Sequence, residues 1–191
     1  MLIALTGGIG CGKSSALQIF KELDWNVFDS DQFCHSLYER GNCLEFENKI
    51  IDRWGNSILE NNEFSRKKIA QIIFQNEVEL KWINSVVHPI VLNEIKQQSL
   101  TTQKLICDIP LLFECKWENM FDKIISVWTN AEEQIKRLKK RNWDNKDINR
   151  RIKSQLSNDT KLEKSDFGII NTTDIQSLRK QCIEINARLN Q

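Results

Sequence analysis

The sequence predicts an α/β fold, a parallel β-sheet covered by helices on both faces, and three observations predict it. Five short β-type runs, at Leu2 to Leu5, Asn26 to Phe28, Leu105 to Ile109, Ile124 to Trp128 and Phe167 to Ile170, alternate with stretches of helical periodicity, the pattern of parallel strands joined by crossover helices. The first run leads directly into a glycine-rich loop, Gly7-Gly8-Ile9-Gly10-Cys11-Gly12-Lys13-Ser14, and then into an amphipathic helix beginning Ser14-Ser15-Ala16-Leu17. The interval between the second and third runs is about 75 residues and mostly helical, far more than a simple crossover requires, so a helical lobe is inserted there.

A chain of 191 residues, 40% hydrophobic and 28% charged, builds one sizeable core rather than two large independent domains. Its 27 basic and 26 acidic side chains leave a formal charge of +1. That near balance argues against a general nucleic-acid surface and makes any phosphate site a local feature. No apolar run approaches the roughly 20 residues of a spanning helix, and Met1-Leu2-Ile3-Ala4-Leu5 lacks a basic lead-in, so neither membrane insertion nor export is expected. The six cysteines, Cys11, Cys34, Cys43, Cys107, Cys115 and Cys182, form no Cys-x-x-Cys pair. Their irregular spacing reads as reduced packing thiols in a cytoplasmic protein.

The loop after the first run fits G-x-x-x-x-G-K-[ST] at every fixed position. Glycines let its backbone curl tightly enough to turn successive N–H groups inward, and the helix that follows adds the positive end of its dipole. Gly8, Ile9, Gly10, Cys11, Gly12, Lys13, Ser14 and Ser15 therefore form an expected cradle for the phosphates of ATP. Lys13 would reach the β- and γ-phosphates, and the Ser14 hydroxyl would ligate Mg2+ among phosphate oxygens and waters.

After the second run come Asp29 and Asp31, spaced so that on an extended chain their carboxylates point the same way, toward the edge where ligands bind such sheets. Asp31 is expected either to accept the proton of a hydroxyl nucleophile or, like Asp29, to cap the helix starting near Gln32. In the inserted lobe, Ile69, Ile72 and Ile73 mark the apolar face of a helix capped by Ser65. Leu80, Ile83 and Val87 mark a second stripe, and Pro89 is expected to restart a helix. The third run ends in an acid, Asp108, a candidate for the magnesium water shell. The stretch Arg137 to Arg151 is strongly basic, with Arg137 and Arg141 on one helical face. The tryptophans read as packing residues.

Taken together, these segments resemble dephospho-coenzyme A kinases. The resemblance is carried by Leu5-Thr6-Gly7-Gly8-Ile9-Gly10 with Gly12-Lys13-Ser14, Asp29-Ser30-Asp31, Phe64-Ser65-Arg66-Lys67-Lys68, Ile73-Phe74, Val87-His88-Pro89-Ile90 and Asp108-Ile109-Pro110-Leu111-Leu112-Phe113-Glu114. Gln134-Ile135-Lys136-Arg137-Leu138, Arg141, Arg151-Ile152, Gln155, Ser165-Asp166 and Ile169-Ile170-Asn171 extend it. The resemblance implies a five-stranded P-loop kinase core over about 1–35, 101–135 and 165–191, a helical acceptor-binding insert over about 36–100 and an Arg-rich helical lid over about 136–164. It implies transfer of the ATP γ-phosphate to the ribose 3'-hydroxyl of dephospho-coenzyme A, with Mg2+; a monomer or weak homo-oligomer is expected. On this basis Asp31, Lys13 and Arg141 are catalytic, and Asp31, His35, Arg66, His88 and Asp108 serve the substrate. Ser14 holds the metal, with Asp31 or Asp108 acting through water.

Two positions depart from that pattern. Cys11 replaces a small serine or alanine, which a loop working through backbone N–H groups tolerates. His35 stands where an arginine is common, and a neutral imidazole lacks the guanidinium's fixed fork of donors. Other nucleotide monophosphate kinases share the scaffold but not the acceptor-lobe segments. A GTP-dependent switch would need Asn-Lys-x-Asp, which Asn145-Lys146-Asp147-Ile148 misses by one residue.

Overall fold

The computed structural model describes residues 1–191, apart from the side chain of Phe74, so the Phe74 half of the Ile73-Phe74 segment lies outside the described residues. In chain order the elements are β1 (Leu2–Thr6), α1 (Lys13–Glu22), β2 (Asn26–Asp29), α2 (Ser30–Ser36), α3 (Leu44–Trp54), β3 (Leu59–Glu60), β4 (Glu63–Phe64), α4 (Arg66–Gln75) and α5 (Glu77–Thr101). They continue with β5 (Leu105–Asp108), β6 (Lys123–Trp128), α6 (Ala131–Lys140), α7 (Asn145–Lys153), α8 (Asn158–Glu163), β7 (Phe167–Ile170) and α9 (Ile175–Leu189). The chain divides into two compact units, residues 1–29 with 99–191, and residues 30–98.

The first unit is built on a five-stranded sheet in the order β2-β5-β1-β6-β7, with every pairing parallel. Its central strands are buried on both faces, which is why Leu2 to Leu5 and Leu105 to Cys107 read as continuous apolar runs instead of alternating ones. α1 contributes Ala16, Leu17, Ile19 and Phe20, and α9 contributes Leu178, Cys182, Ile185 and Leu189, in each case at helical spacing, to one core with Ile3, Leu5, Ile125 and Val127. Trp25 meets Phe20 edge-on at 6.3 Å, and its indole N–H donates to Asn186 Oδ1 at 2.8 Å, so the polar end of a buried ring is satisfied.

The second unit packs around Leu37, Phe46, Ile50, Ile58, Phe64, Ile69, Ile83 and Val86. Its hairpin β3-β4 turns at Asn61 and Asn62, both at positive φ (51° and 65°), the conformation a two-residue turn between twisted strands demands and asparagine tolerates. Ser65 caps α4 by accepting the Lys68 N–H. Glu79 ties α3 to α5, accepting from Arg53 at 2.8 and 3.2 Å and from the Trp54 indole at 2.7 Å.

Three expectations are corrected by the structure. Pro89 does not restart a helix: α5 runs through it from Glu77 to Thr101. Apolar side chains on both sides of the proline, Ile83 and Val86 before it and Val91 and Ile95 after it, are buried, and their packing offsets the missing N–H. Asp31 is not on an extended segment, because β2 ends at Asp29 and α2 begins at Ser30. The second stripe also shifts, since Val86 is buried and Leu80 is 39% exposed.

Candidate active site

The phosphate loop bridges β1 and α1 at the carboxyl end of the sheet. Gly12 caps α1 in the left-handed region at φ 102°, and no side chain caps the helix. A Cβ at Gly12 would collide with the Asn171 carboxamide, so glycine is required there on two counts. The leading amides of the helix are thus left to an anion. Lys13 lies over the loop, with Nζ donating to the Gly7 carbonyl at 3.1 Å and the Gly8 carbonyl at 3.5 Å. Ser14 and Ser15 are exposed beside it. Cys11 is fully buried, and burial raises its thiol pKa, which fits a packing role.

A cavity of about 340 Å3, with room for a nucleoside, opens beside the loop. Gly10, Gly12 and Ser15 form one side of it, Arg137 and Arg141 another. Asn171, Thr173 and Asp174, from the segment after β7, complete it. The two arginines that helical spacing puts on one face differ in what they do. Arg137 donates to the Cys11 carbonyl at 3.3 Å and the Asn171 carbonyl at 2.9 Å, and is therefore committed to bracing the loop. Arg141 ends α6, and among the described residues its guanidinium forms no hydrogen bond or ion pair. Asn171 Nδ2 also donates to the Cys11 carbonyl, at 2.8 Å, so the carbonyl opposite the anion-facing amides is doubly satisfied.

Asp108 closes β5, in register with Leu5 of β1 and Asp29 of β2, and is 6% exposed. It thus sits one residue short of the strand end from which the phosphate loop departs. The oxygen donors of Ser14 and Asp108 are the hard ligands Mg2+ prefers. Among the described residues no group of three His, Cys, Asp or Glu side chains gathers.

Within the second unit, Asp31 lies in the first turn of α2 and is exposed. His35 follows one turn later, on the same face. Arg66 Nη2 donates to the His35 carbonyl at 3.1 Å, and its Nη1 is 3.5 Å from His35 Nδ1. Arg66 therefore brings a guanidinium beside His35. His88 lies midway along α5, half-buried, and burial lowers its pKa.

Sequence reasoning missed Asn158 and Lys161, and it gave Gln134, Gln155 and Asn171 no role of their own, although Gln134 and Gln155 bond to the phosphate loop. A lone carboxamide carries no chemical signature; only its partners do. Among the described residues no helix is long and apolar enough to cross a membrane.

A family model described as dephospho-CoA kinase matches residues 1–177. A dephospho-CoA kinase of Fusobacterium nucleatum is 36% identical over 185 residues, covering 95% of this chain and 94% of that protein. One from Carboxydothermus hydrogenoformans is 37% identical over 191 residues, covering 96% and 92%. Among solved structures, dephospho-CoA kinase from Campylobacter jejuni superposes with a TM-score of 0.72 at 28% identity over 98% of this chain and 96% of that one. TT1252 from Thermus thermophilus shares the fold with a TM-score of 0.85 at 23% identity, covering 99% and 97%.

Proposed function

Because the chain belongs to the dephospho-CoA kinase family, which catalyses the last step of coenzyme A synthesis, we propose the residues by which it does so. The phosphate loop and Lys13 hold the triphosphate of ATP, with the nucleoside in the cavity beside Arg137 and Asn171. Asp31 accepts the proton of the ribose 3'-hydroxyl of dephospho-coenzyme A. The hydroxyl oxygen forms a bond to the γ-phosphorus, the bond from that phosphorus to the β–γ bridging oxygen breaks, and ADP leaves with that oxygen. Lys13, the amides at the start of α1 and the guanidinium of Arg141 balance the charge that spreads over the transferring phosphoryl oxygens. Arg66, with His35, offers donors to the acceptor's diphosphate. Bound Mg2+, held by Ser14 with Asp108 acting through water, would neutralise the phosphate oxygens.

The observation that carries this reading is the phosphate loop itself, with an uncapped helix start, a lysine lying over it and a nucleoside-sized cavity at its side. The enzyme acts in the cytoplasm as a monomer or weak homo-oligomer, without nucleic-acid or membrane partners; near-neutral charge supports the absence of a polyanion partner. The test is ADP release from Mg-ATP with dephospho-coenzyme A, beside AMP, CMP and adenosine as acceptors. Turnover with dephospho-coenzyme A alone, with a coenzyme A product of the right mass, is expected. Turnover with a nucleotide instead would keep the phosphoryl transfer and reject the acceptor, and slow hydrolysis indifferent to every acceptor would reject both.

A further inference from the structure

The N–H and the C=O of Ile9, in the phosphate loop, are both held by carboxamides from distant parts of the chain. The N–H donates to Gln155 Oε1 at 3.0 Å, and Gln134 Nε2 donates to the carbonyl at 2.7 Å. Gln134 comes from α6 and is 5% exposed, whereas Gln155 comes from the turn after α7, the Arg-rich helix. We propose that Gln134 and Gln155 are positioning residues for the bound triphosphate, acting through the two peptide groups of Ile9. The proposal rests on the reading of this loop as the ATP site.

Each carboxamide is itself fixed. Asn158 Nδ2 donates to the Thr129 carbonyl at 3.0 Å and to Gln134 Oε1 at 3.4 Å, which leaves Gln134 Nε2 as the end turned to Ile9. Asn158 also lies so close to Gly8 that a Cβ there would collide with its carboxamide, so the loop and its supports fit only with glycine at that position. On the other side, the Leu156 N–H donates to Glu114 Oε1 at 2.7 Å, and Glu114 pairs at 2.8 Å with the fully buried Lys161. The backbone next to Gln155 is thereby fastened to the loop after β5. A chain of bonded groups runs from the buried ion pair to the phosphate loop.

The chemistry explains why these supports are carboxamides. A phosphate loop works by the direction of its N–H groups, and a peptide free to rotate can turn its carbonyl toward the anion instead. Tying both groups of Ile9 removes that freedom before the nucleotide arrives. A carboxamide supplies the needed acceptor or donor without net charge, so it neither repels the triphosphate, as a glutamate would, nor draws it away from Lys13, as a second lysine would. Gln134 and Gln155 also border a cavity of about 290 Å3.

The test is a double-variant cycle with Gln155→Met and Gln134→Met, in the full chain. Mg-ATP affinity is read by calorimetry without acceptor, and the KM for each substrate by steady-state kinetics. Losing one such bond should weaken Mg-ATP binding by about tenfold while KM for dephospho-coenzyme A stays within about twofold. The double variant should be weaker than either single by much less than the product of the two, because the two peptides that flank Ile9 share its φ and ψ and loosening one lets the other turn. Mg-ATP affinity within about twofold of wild type in both singles, independent effects, or both KM values rising with a fall in thermal midpoint would each overturn the proposal. In the wild-type chain the Ile9 amide should exchange slowly with solvent without nucleotide, and rapid exchange overturns it however the variants fold. A wild-type chain that binds no Mg-ATP would instead remove the ATP-site reading.

Discussion

Replacing Lys161 by methionine tests an ion pair that no motif announces. The lysine side chain is 0% exposed, lies 2.8 Å from one Glu114 oxygen and 3.1 Å from the other, and donates to the Pro110 carbonyl at 2.5 Å. Without it, Glu114 keeps the Leu156 N–H and loses its counter-charge, a change that costs about 3–5 kcal/mol because a carboxylate stays desolvated and unbalanced. At about 2–4 °C per kcal/mol for a chain of this size, the thermal midpoint should fall by roughly 6–20 °C. As is usual for buried ion pairs, the intact pair is expected to be no net gain over uncharged packing. Burial holds Lys161 below its usual pKa of 10.5 even though Glu114 pulls the other way. The unfolded chain therefore binds more protons than the folded one just below pH 10.5, and this group makes stability rise with pH there. Removing both charges in Glu114→Gln/Lys161→Met should consequently recover most of the loss. The assay is urea unfolding followed by tryptophan fluorescence, with a thermal scan beside it. A single variant that loses less than about 1 kcal/mol, or a double variant no more stable than the single one, would refute the reasoning.

Three further outcomes are expected. Asp31→Asn should lower kcat by about 10²–10⁴ with Mg-ATP affinity unchanged, and near-normal turnover would remove Asp31 as the base. Arg141→Ala should cut kcat by roughly 10³ at an unchanged thermal midpoint, whereas Arg137→Ala should lower the midpoint through its lost bonds to the Cys11 and Asn171 carbonyls; the reverse pattern would exchange their roles. His88, whose pKa burial lowers from 6.5, binds fewer protons folded than unfolded, so its contribution is complete above about pH 6.5 and is lost as the pH falls below that value. His88→Phe should flatten the stability profile between about pH 5 and 6.5, and a profile unchanged by the substitution would show that another group sets it.

The phosphate loop and the five strands of the sheet were legible in the sequence because both depend on short-range rules. Glycines at fixed offsets, with a lysine and a serine after them, specify a loop wherever an apolar strand leads in, and strands buried on both faces must be apolar throughout. Asp108 at its strand end was legible for the same reason. Where two local rules competed, the sequence was read wrongly or left open. Asp29-Ser30-Asp31 fits either a continuing strand or a helix start, and the packing of the second unit decides for the helix. Pro89 should break a helix, yet apolar side chains buried on both sides of it keep α5 whole.

The supports of the site were beyond any local pattern. The partners of Ile9 lie 146 and 125 residues away, and Glu114 and Lys161 are 47 apart. Arg137 and Arg141 look interchangeable on a helix face until the fold places the Cys11 and Asn171 carbonyls beside one of them. The sequence by itself determined what the phosphate loop is made of and where the five strands fall along the chain. Only the tertiary structure decided which neutral amides and which buried pair hold that loop rigid, because a hydrogen bond depends on where two groups end up in space, and chain separation does not constrain that.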